Sequence, residues 1–361
     1  MKDLEKIQTR KDDHLIHSLS KASQSPASTW FECVNLIHQA YSNLDFESID
    51  LTTSFLNKKL RIPLFIGALT GGTEKGAKIN ETLAIAAEKY GIGMMIGSQR
   101  AALEHSSVRS TFKIARDSAP DITLISNIGM AQIVEMENLS QINDAIQLIE
   151  ADALAVHLNP LQEIIQTEGQ PRFVDGLDRL KKLIDICQVP LIIKETGAGL
   201  SQETVSQFLS LGISYFDVAG LGGTNFAMIE GLRAQNNDDL LNGTLGNLFS
   251  AWGIPTAASI MDCRSIISPF NKLYRIFARG GIRNGLDMAK AIAIGADYCC
   301  IAQPFLEYYN QNPFLIEDFI VRCKRELATA MFLSGVAASL IKQHVPRVNL
   351  PTLKDWVESP L

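Results

Sequence analysis

Short apolar runs without polar alternation recur along the chain: PLFIGAL (63–69), GIGMMIG (91–97), TLISNIG (123–129), ALAVHL (153–158), PLIIKE (190–195), YFDVAG (215–220), RIFARGG (275–281) and DYCCIA (297–302). Each has the length of a strand buried on both faces, and the stretches between them carry helical periodicity, as in KINETLAIAAEKY (78–90) and INDAIQLIEA (142–151). Strands alternating with helices predict a parallel sheet. The first four runs start at intervals of about 30 residues, the size of one βα unit, and eight such units close a (β/α)8 TIM barrel of α/β class. An open doubly wound sheet is the alternative. A further run, GIPTAASI (253–260), reads as helix, because Pro255 suits a first helical turn and the apolar pattern continues through Met261 and Ile266.

Two segments lie outside the repeat. Residues 1–62 form a polar arm, and residues 306–361 carry a long amphipathic helix ahead of a Pro-containing tail. The barrel core, 63–305, is interrupted after the sixth strand by a lid-like insertion at about 221–253, where an enlarged βα loop overhangs the mouth of a barrel. All of it reads as one domain. The composition, 46% apolar and 20% charged, is that of an ordinary globular chain. The net charge of −6 argues against nucleic acid or an anionic membrane as the main partner. The most apolar stretch, 327–341, is too short for a membrane span and reads as a buried helix. No apolar leader precedes the arm, and the six cysteines lack metal-type spacing, so reduced thiols in a cytoplasmic protein are expected.

In a barrel the chemistry sits at the C-terminal strand ends. Here those ends are polar and rich in glycine: GALTGG (67–72), GSQR (97–100), SNIG (126–129), HLNPLQE (157–163), KETGAG (194–199), AGLGGTN (219–225), ARGGIRNG (278–285) and AQPF (302–305). Any one could be a turn that needs left-handed backbone; eight together point to a ligand. Gly280 and Gly281 would let backbone N–H groups approach a phosphate, with the helix predicted over 286–294 aiming its positive end at it. Lys194, on a buried strand, needs a partner. A flavin edge, a Schiff base and an ion pair with a neighbouring strand remain open. His157 and Asn159 share one face of the fourth strand, followed by Gln162 and Glu163. Glu163 is the candidate ligand for a hard cation such as Mg²⁺, which one carboxylate, phosphates and water commonly hold. Arg10, Lys11 and His14 on the arm, with Ser98, Gln99 and Arg100 at the second end, would meet an anionic substrate if the arm folds over the mouth.

These segments, together with RKDDHL (10–15), GSQRAAL (97–103), QTEGQPRF (166–173), DVAGLGGTNF (217–226), WGIPTAASI (252–260) and ELATAMFLSG (326–335), resemble type 2 isopentenyl diphosphate isomerases, in order, from residue 10 to about 340. The resemblance implies an FMN-dependent barrel, reduced by NADPH and requiring Mg²⁺. Such an enzyme interconverts isopentenyl and dimethylallyl diphosphate without net redox change, the reduced flavin serving as acid and base at N5. It places FMN on Ala68, Leu69, Thr70, Ser98, Asn127, Lys194, Thr224, Gly280, Gly281, Ala302 and Gln303. It places the diphosphate on Arg10, Lys11, Ser98, Gln99, Arg100, His157, Asn159 and Gln162, with His157 and Gln162 catalytic and Glu163 on Mg²⁺. A homo-oligomer, tetramer or octamer, is expected with it. Two residues depart from the family pattern: Leu221 stands where Arg is common and Phe226 where Trp is common, which leaves rim or subunit contacts near 221–226 open.

Two other readings compete. An FMN-dependent 2-hydroxy-acid oxidoreductase on the same barrel needs a base histidine late in the barrel beside an arginine, and no histidine follows the sixth or seventh strand within its loop. A flavin-binding protein without catalysis would lack the 157–163 cluster or the arm cations, and both are present.

Overall fold

The structure, a computed structural model, describes residues 2–267, 274–336 and 347–348. Eight parallel strands close a barrel: β4 (Leu64–Ile66), β5 (Gly93–Met95), β6 (Leu124–Gly129), β7 (Ala153–Leu158), β8 (Leu191–Glu195), β9 (Tyr215–Asp217), β10 (Arg275–Ala278) and β11 (Tyr298–Ile301). Every expected run contains one of them, and β11 pairs with β4 to close the ring. The open-sheet alternative is thereby excluded. The outer layer comprises α2 (Glu74–Tyr90), α3 (Arg100–Glu104), α4 (Ser110–Ser118), α5 (Met130–Glu135), α6 (Gln141–Leu148), α7 (Pro160–Ile165), α8 (Gly176–Ile186) and α9 (Gln202–Leu209). It continues with α10 (Phe226–Asn236), α11 (Leu240–Leu248), α12 (Thr256–Ile266), α13 (Gly285–Ala293), α14 (Gln303–Gln311) and α15 (Leu315–Leu333). The 253–260 run is helical from Thr256, with Pro255 one position ahead as the cap residue. The helical reading of 327–341 holds through Leu333; the helix is capped at Ser334 and residues 334–336 leave it as a turn, and 337–341 lie outside the described residues.

The arm is more ordered than its polar composition suggests. It opens with α1 (Lys2–Ser18), which buries Ile7 and Leu15, and continues through the short strand β1 (Val34–Asn35), paired antiparallel with β12 (Arg347–Val348) near the other end of the chain. It ends in a hairpin, β2 (Thr53–Phe55) and β3 (Lys58–Leu60). Phe55 and Leu60 of this hairpin enter the barrel axis and join Phe65, Met95, Ile125, Ile192, Phe277, Tyr298 and Cys300 in the inner core. Phe55 meets Phe65, Tyr215, Phe277 and Tyr298 edge to face at 5.5–5.7 Å, an arrangement that suits the ring quadrupoles. The aromatic plug closes the N-terminal end of the barrel and leaves the C-terminal end for chemistry. No disulfide joins any two of the six cysteines.

Candidate active site

At the C-terminal end of the barrel, two adjoining lobes share Ala68, Leu69, His14, Phe226, Thr196 and Arg279. One is rich in cations and polar side chains; the other is lined by glycines. The arm roofs the first. Helix α1 brings Arg10, Lys11 and His14 to the mouth, where they face Ser98, Arg100, Asn127, His157, Asn159, Gln162, Glu163 and Lys194. Lys11 is half-buried with its ammonium end enclosed; that ammonium donates to Ser98 O at 3.1 Å and lies 5.2 Å from the Phe112 ring. Burial, with Arg10 adding repulsion, pulls it down to about 7. An anion would reverse that penalty.

The β7 end is built as its sequence suggests. His157 Nδ1 lies 2.8 Å from Asn127 Oδ1. The Asn127 amide donates its N–H to Ile96 O, so its oxygen accepts and the histidine Nδ1 carries the proton. Burial first, then Lys194, Arg279 and Lys11, hold His157 at about 3, so the ring is neutral with a lone pair on Nε2. Pro160 starts α7 one residue after Asn159, which turns Gln162 and Glu163 to the same side. Asn159 Nδ2 donates to Glu163 Oε1 at 2.9 Å, and Gln170 N donates to Glu163 Oε2 at 2.7 Å, so the carboxylate is buried and fixed in direction. Among the described residues no group of three or more His, Cys, Asp or Glu gathers as a metal site. A cation at Glu163 would draw its remaining ligands from substrate and water.

Below the mouth, Lys194 lies one strand from its register partner Asp217. Burial, with repulsion from Arg279 adding to it, pulls the Lys194 ammonium down from the ordinary lysine range. Arg279 Nη1 stands 3.7 Å from Asp217 Oδ2, and its Nη2 donates to Ala68 O at 3.1 Å. Burial raises Asp217, while Lys194 and Arg279 pull it back. The glycine-rich end of β8 has another use: the N–H groups of Thr196, Gly197 and Ala198 all donate to the carboxylate of Glu195. That nest serves its own chain, not a ligand.

The second lobe takes in Thr224, Gly280, Gly281, Ala302 and Gln303. Gly280 and Gly281 have φ of 99° and 73°, and a Cβ at either would strike the carbonyls of Gly220 or Gly222, so only glycine fits. Arm residues 23–25 lie against 223–225, with Ser25 N donating to Gly223 O and Asn225 N to Ser23 O. The phosphate expectation needs one correction. The start of α13 is already occupied, because Asp287 N donates to Asn284 Oδ1 and Gly285 N to Glu326 Oε2. The helix that opens on this lobe is α14, whose cap residue Ala302 supplies no side-chain bond to its first turn.

Most of the expected residues converge on these two lobes. Gln99 does not: it is fully buried, its amide donating to Ala145 O and its oxygen accepting from Ser126 Oγ, so it braces β6 against α6. Arg100 lines the mouth but is paired with Glu104 at 2.7 Å. Leu221 is an interior residue bridged to Pro255, whereas Phe226 lines both lobes with its ring edge-on to His14 at 5.6 Å. Sequence reasoning missed Arg279, Thr196, Gln166 and Glu230. Glu230 is buried on α10 and accepts from Gln162 Nε2 at 2.9 Å, with His14 Nε2 at 2.8 Å. Burial alone would raise it; His14, Arg233 and Gln162 hold it at about 2. The available signal was a Glu and an Arg three apart in the otherwise apolar FAMIEGLRA of the insertion.

The class follows from a closed barrel with a glycine-lined lobe at its C-terminal end: residues 157–344 match the FMN-dependent dehydrogenase family. The fold agrees with solved structures of a mutant flavocytochrome b2 with pyruvate bound (TM-score 0.68, 17% identity, covering 98% of this chain and 86% of that one) and a mandelate oxidase mutant (TM-score 0.62, 14% identity, 94% and 98%). Within that class, the chain belongs to the isopentenyl-diphosphate delta-isomerase family. It is 42% identical to the member from Pyrobaculum aerophilum over 98% of both chains. Identity is 43% to that from Sulfurisphaera tokodaii (92% of this chain, 89% of the other) and 39% to that from Metallosphaera sedula (97% and 94%).

Proposed function

We propose that the protein interconverts isopentenyl and dimethylallyl diphosphate, using reduced FMN and Mg²⁺, with NADPH as the reductant. The observation that carries this reading is the pairing, at one barrel mouth, of a cation-rich lobe suited to a diphosphate with a glycine-rich lobe suited to FMN. The fit to FMN rests on polar atoms that lack partners. Thr70 Oγ1 and Thr224 Oγ1 are buried without a hydrogen bond among the described residues and line the lobes, and beside them Arg279 Nη1 has only the 3.7 Å ion pair with Asp217. Asn127, Lys194, Gln303 and the backbone of 68–70 surround the same space. Gly280, Gly281 and the start of α14 suit the cofactor phosphate. Glu163 fits Mg²⁺ as a single oriented carboxylate beside the place for a diphosphate.

The reaction moves one proton onto a terminal methylene and removes another two carbons away. When bound in reduced form, FMN supplies the nitrogen that exchanges these protons. The chain's own residues do the rest. Arg10, Lys11 and Ser98 receive the diphosphate, with Arg100 released from Glu104 to join them. His157, neutral and fixed by Asn127, offers Nε2 to a protonated phosphate oxygen. Gln162, held by Glu230 and Asn159, presents an oriented, uncharged amide to the substrate. Helix α1 and Phe226 cover the mouth and exclude water, which would otherwise quench a reactive allylic centre. The 2-hydroxy-acid chemistry of the structural neighbours is the weaker reading: Arg279 stands after β10, but no histidine accompanies it in that loop. A homo-oligomer in the cytoplasm, acting on a small diphosphate and on neither nucleic acid nor membrane, belongs to the same reading. No helix among the described residues is long and apolar enough to cross a membrane.

The test is direct. Purified protein should be yellow, or become so with added FMN, release FMN on denaturation, and isomerise isopentenyl diphosphate only with reductant and Mg²⁺. Protein that takes up no flavin contradicts the reading.

A further inference from the structure

One buried side chain joins the roof of the site to its wall. Arg233 on α10 is 8% exposed and meets three carboxylates on three segments. These are Glu230 Oε2 one turn earlier at 2.6 Å, Glu168 Oε1 after α7 at 3.0 Å, and Asp13 Oδ2 on α1 at 3.3 Å. From these the contacts run on into the mouth. Arg10 Nη1 lies 3.9 Å from Glu168 Oε1, and the opposite oxygen of Glu230 holds His14 and Gln162. A planar guanidinium spreads its donors over three nitrogens and so spans acceptors on three segments, whereas an ammonium gathers its three donors on one atom.

The rest of α1 gives a reason for such a device. Its apolar anchors are few, with Ile7 in a small cluster with Ala101 and Val108, and Leu15 in the main core. Its inner face carries Arg10 and Lys11, whose adjacent positive charges repel each other and, with no anion present, oppose docking. Asp13, one residue before His14, ties that face to Arg233, and Arg233 keeps Glu230 and Glu168 from standing as uncompensated negative charges beside the place where a diphosphate would bind.

We propose that Arg233 is a positioning residue that docks α1 across the barrel mouth, fixing Arg10, Lys11 and His14 for an anionic substrate that it does not itself touch. An arriving diphosphate takes over Arg10 while Glu168 stays on Arg233, so the clasp persists with ligand bound. The identity of the anion rests on the isomerase reading; the docking of α1 does not.

The test uses FMN-loaded full-length protein and the variants Arg233→Met, Asp13→Asn and Arg233→Lys, read by hydrogen exchange along the chain and by steady-state kinetics with isopentenyl diphosphate. Arg233→Met should exchange faster across residues 2–18 with the barrel strands unchanged. Its KM should rise about tenfold, or about 1.4 kcal/mol of binding, with kcat nearly constant and flavin content intact. Asp13→Asn, whose carboxylate is partly exposed, should move both readouts the same way by less, and Arg233→Lys should recover part of the loss. Parental exchange at α1 together with a parental KM overturns the proposal, as does a fall in kcat at constant KM. If the parent protein turns over no isopentenyl diphosphate, the isomerase reading fails, and exchange at α1 still decides the clasp.

Discussion

Lys11 shows how one residue can report on the site. Its ammonium is buried beside another cation and titrates near 7, far below the ordinary lysine range. In the free protein the charged form therefore dominates below about pH 7 and is lost as pH rises through that value. An anion binds the charged form, so KM should be flat below neutrality and climb above it. Lys11→Met should raise KM below neutrality, approach the wild-type value at high pH and remove that limb from the pH profile; a wild-type KM that stays constant to pH 9 would show that Lys11 does not meet the substrate. Glu163 answers a different question. Asn159 Nδ2 and Gln170 N donate to its two oxygens, so Glu163→Gln keeps one of those bonds; the variant should retain its flavin while requiring far more Mg²⁺ for half-maximal rate. Loss of flavin in that variant would place the residue elsewhere in the site. At this scale much was legible, because His157, Asn159, Gln162 and Glu163 lie within one strand end and one helical turn. Gln99 was not: adjacency to Ser98 and Arg100 in sequence says nothing about which side of a short turn a side chain takes, and its amide went to Ala145 O.

At the scale of elements, the eight barrel strands were readable because strands buried on both faces need unbroken apolar runs, and little else does over that length. The arm was not readable. Its hairpin turns at Leu56 and Asn57, with φ of 46° and 66°, where the usual signal would be Asn-Gly. Its value lies in the distant rings that Phe55 touches, which local pattern cannot carry. Phe55→Ala should therefore cost about 3–5 kcal/mol of stability, the range for a large aromatic lost from a packed core. Chemical denaturation would measure it, and a loss below 1 kcal/mol would mean that the hairpin lies loosely on the barrel. The start of α13 shows the same limit. A helix after a glycine pair suggested a phosphate site, but Asn284 and Glu326, the latter far along the chain, had already occupied its N–H groups.

For the whole molecule, a chain of net charge −6 presents a mouth dominated by Arg10, Lys11, Arg100, Lys194 and Arg279. The overall acidity says little about the ligands, because the field at a closed site is set by the few charges that line it. The hairpin seals one end of the barrel, α1 roofs the other, and Arg233 binds that roof to the insertion, so arm, barrel and insertion act on one cavity. The reaction proposed for this cavity is proton transfer without net redox change. Its most direct measurement is an anaerobic incubation of FMN-loaded protein with isopentenyl diphosphate and Mg²⁺ in D₂O, with reductant limited to one equivalent per flavin. Many turnovers to dimethylallyl diphosphate, deuterium in the product and no further consumption of reductant are expected. Reductant consumed one for one with product, or no product from reduced and loaded protein, would contradict the proposed reaction.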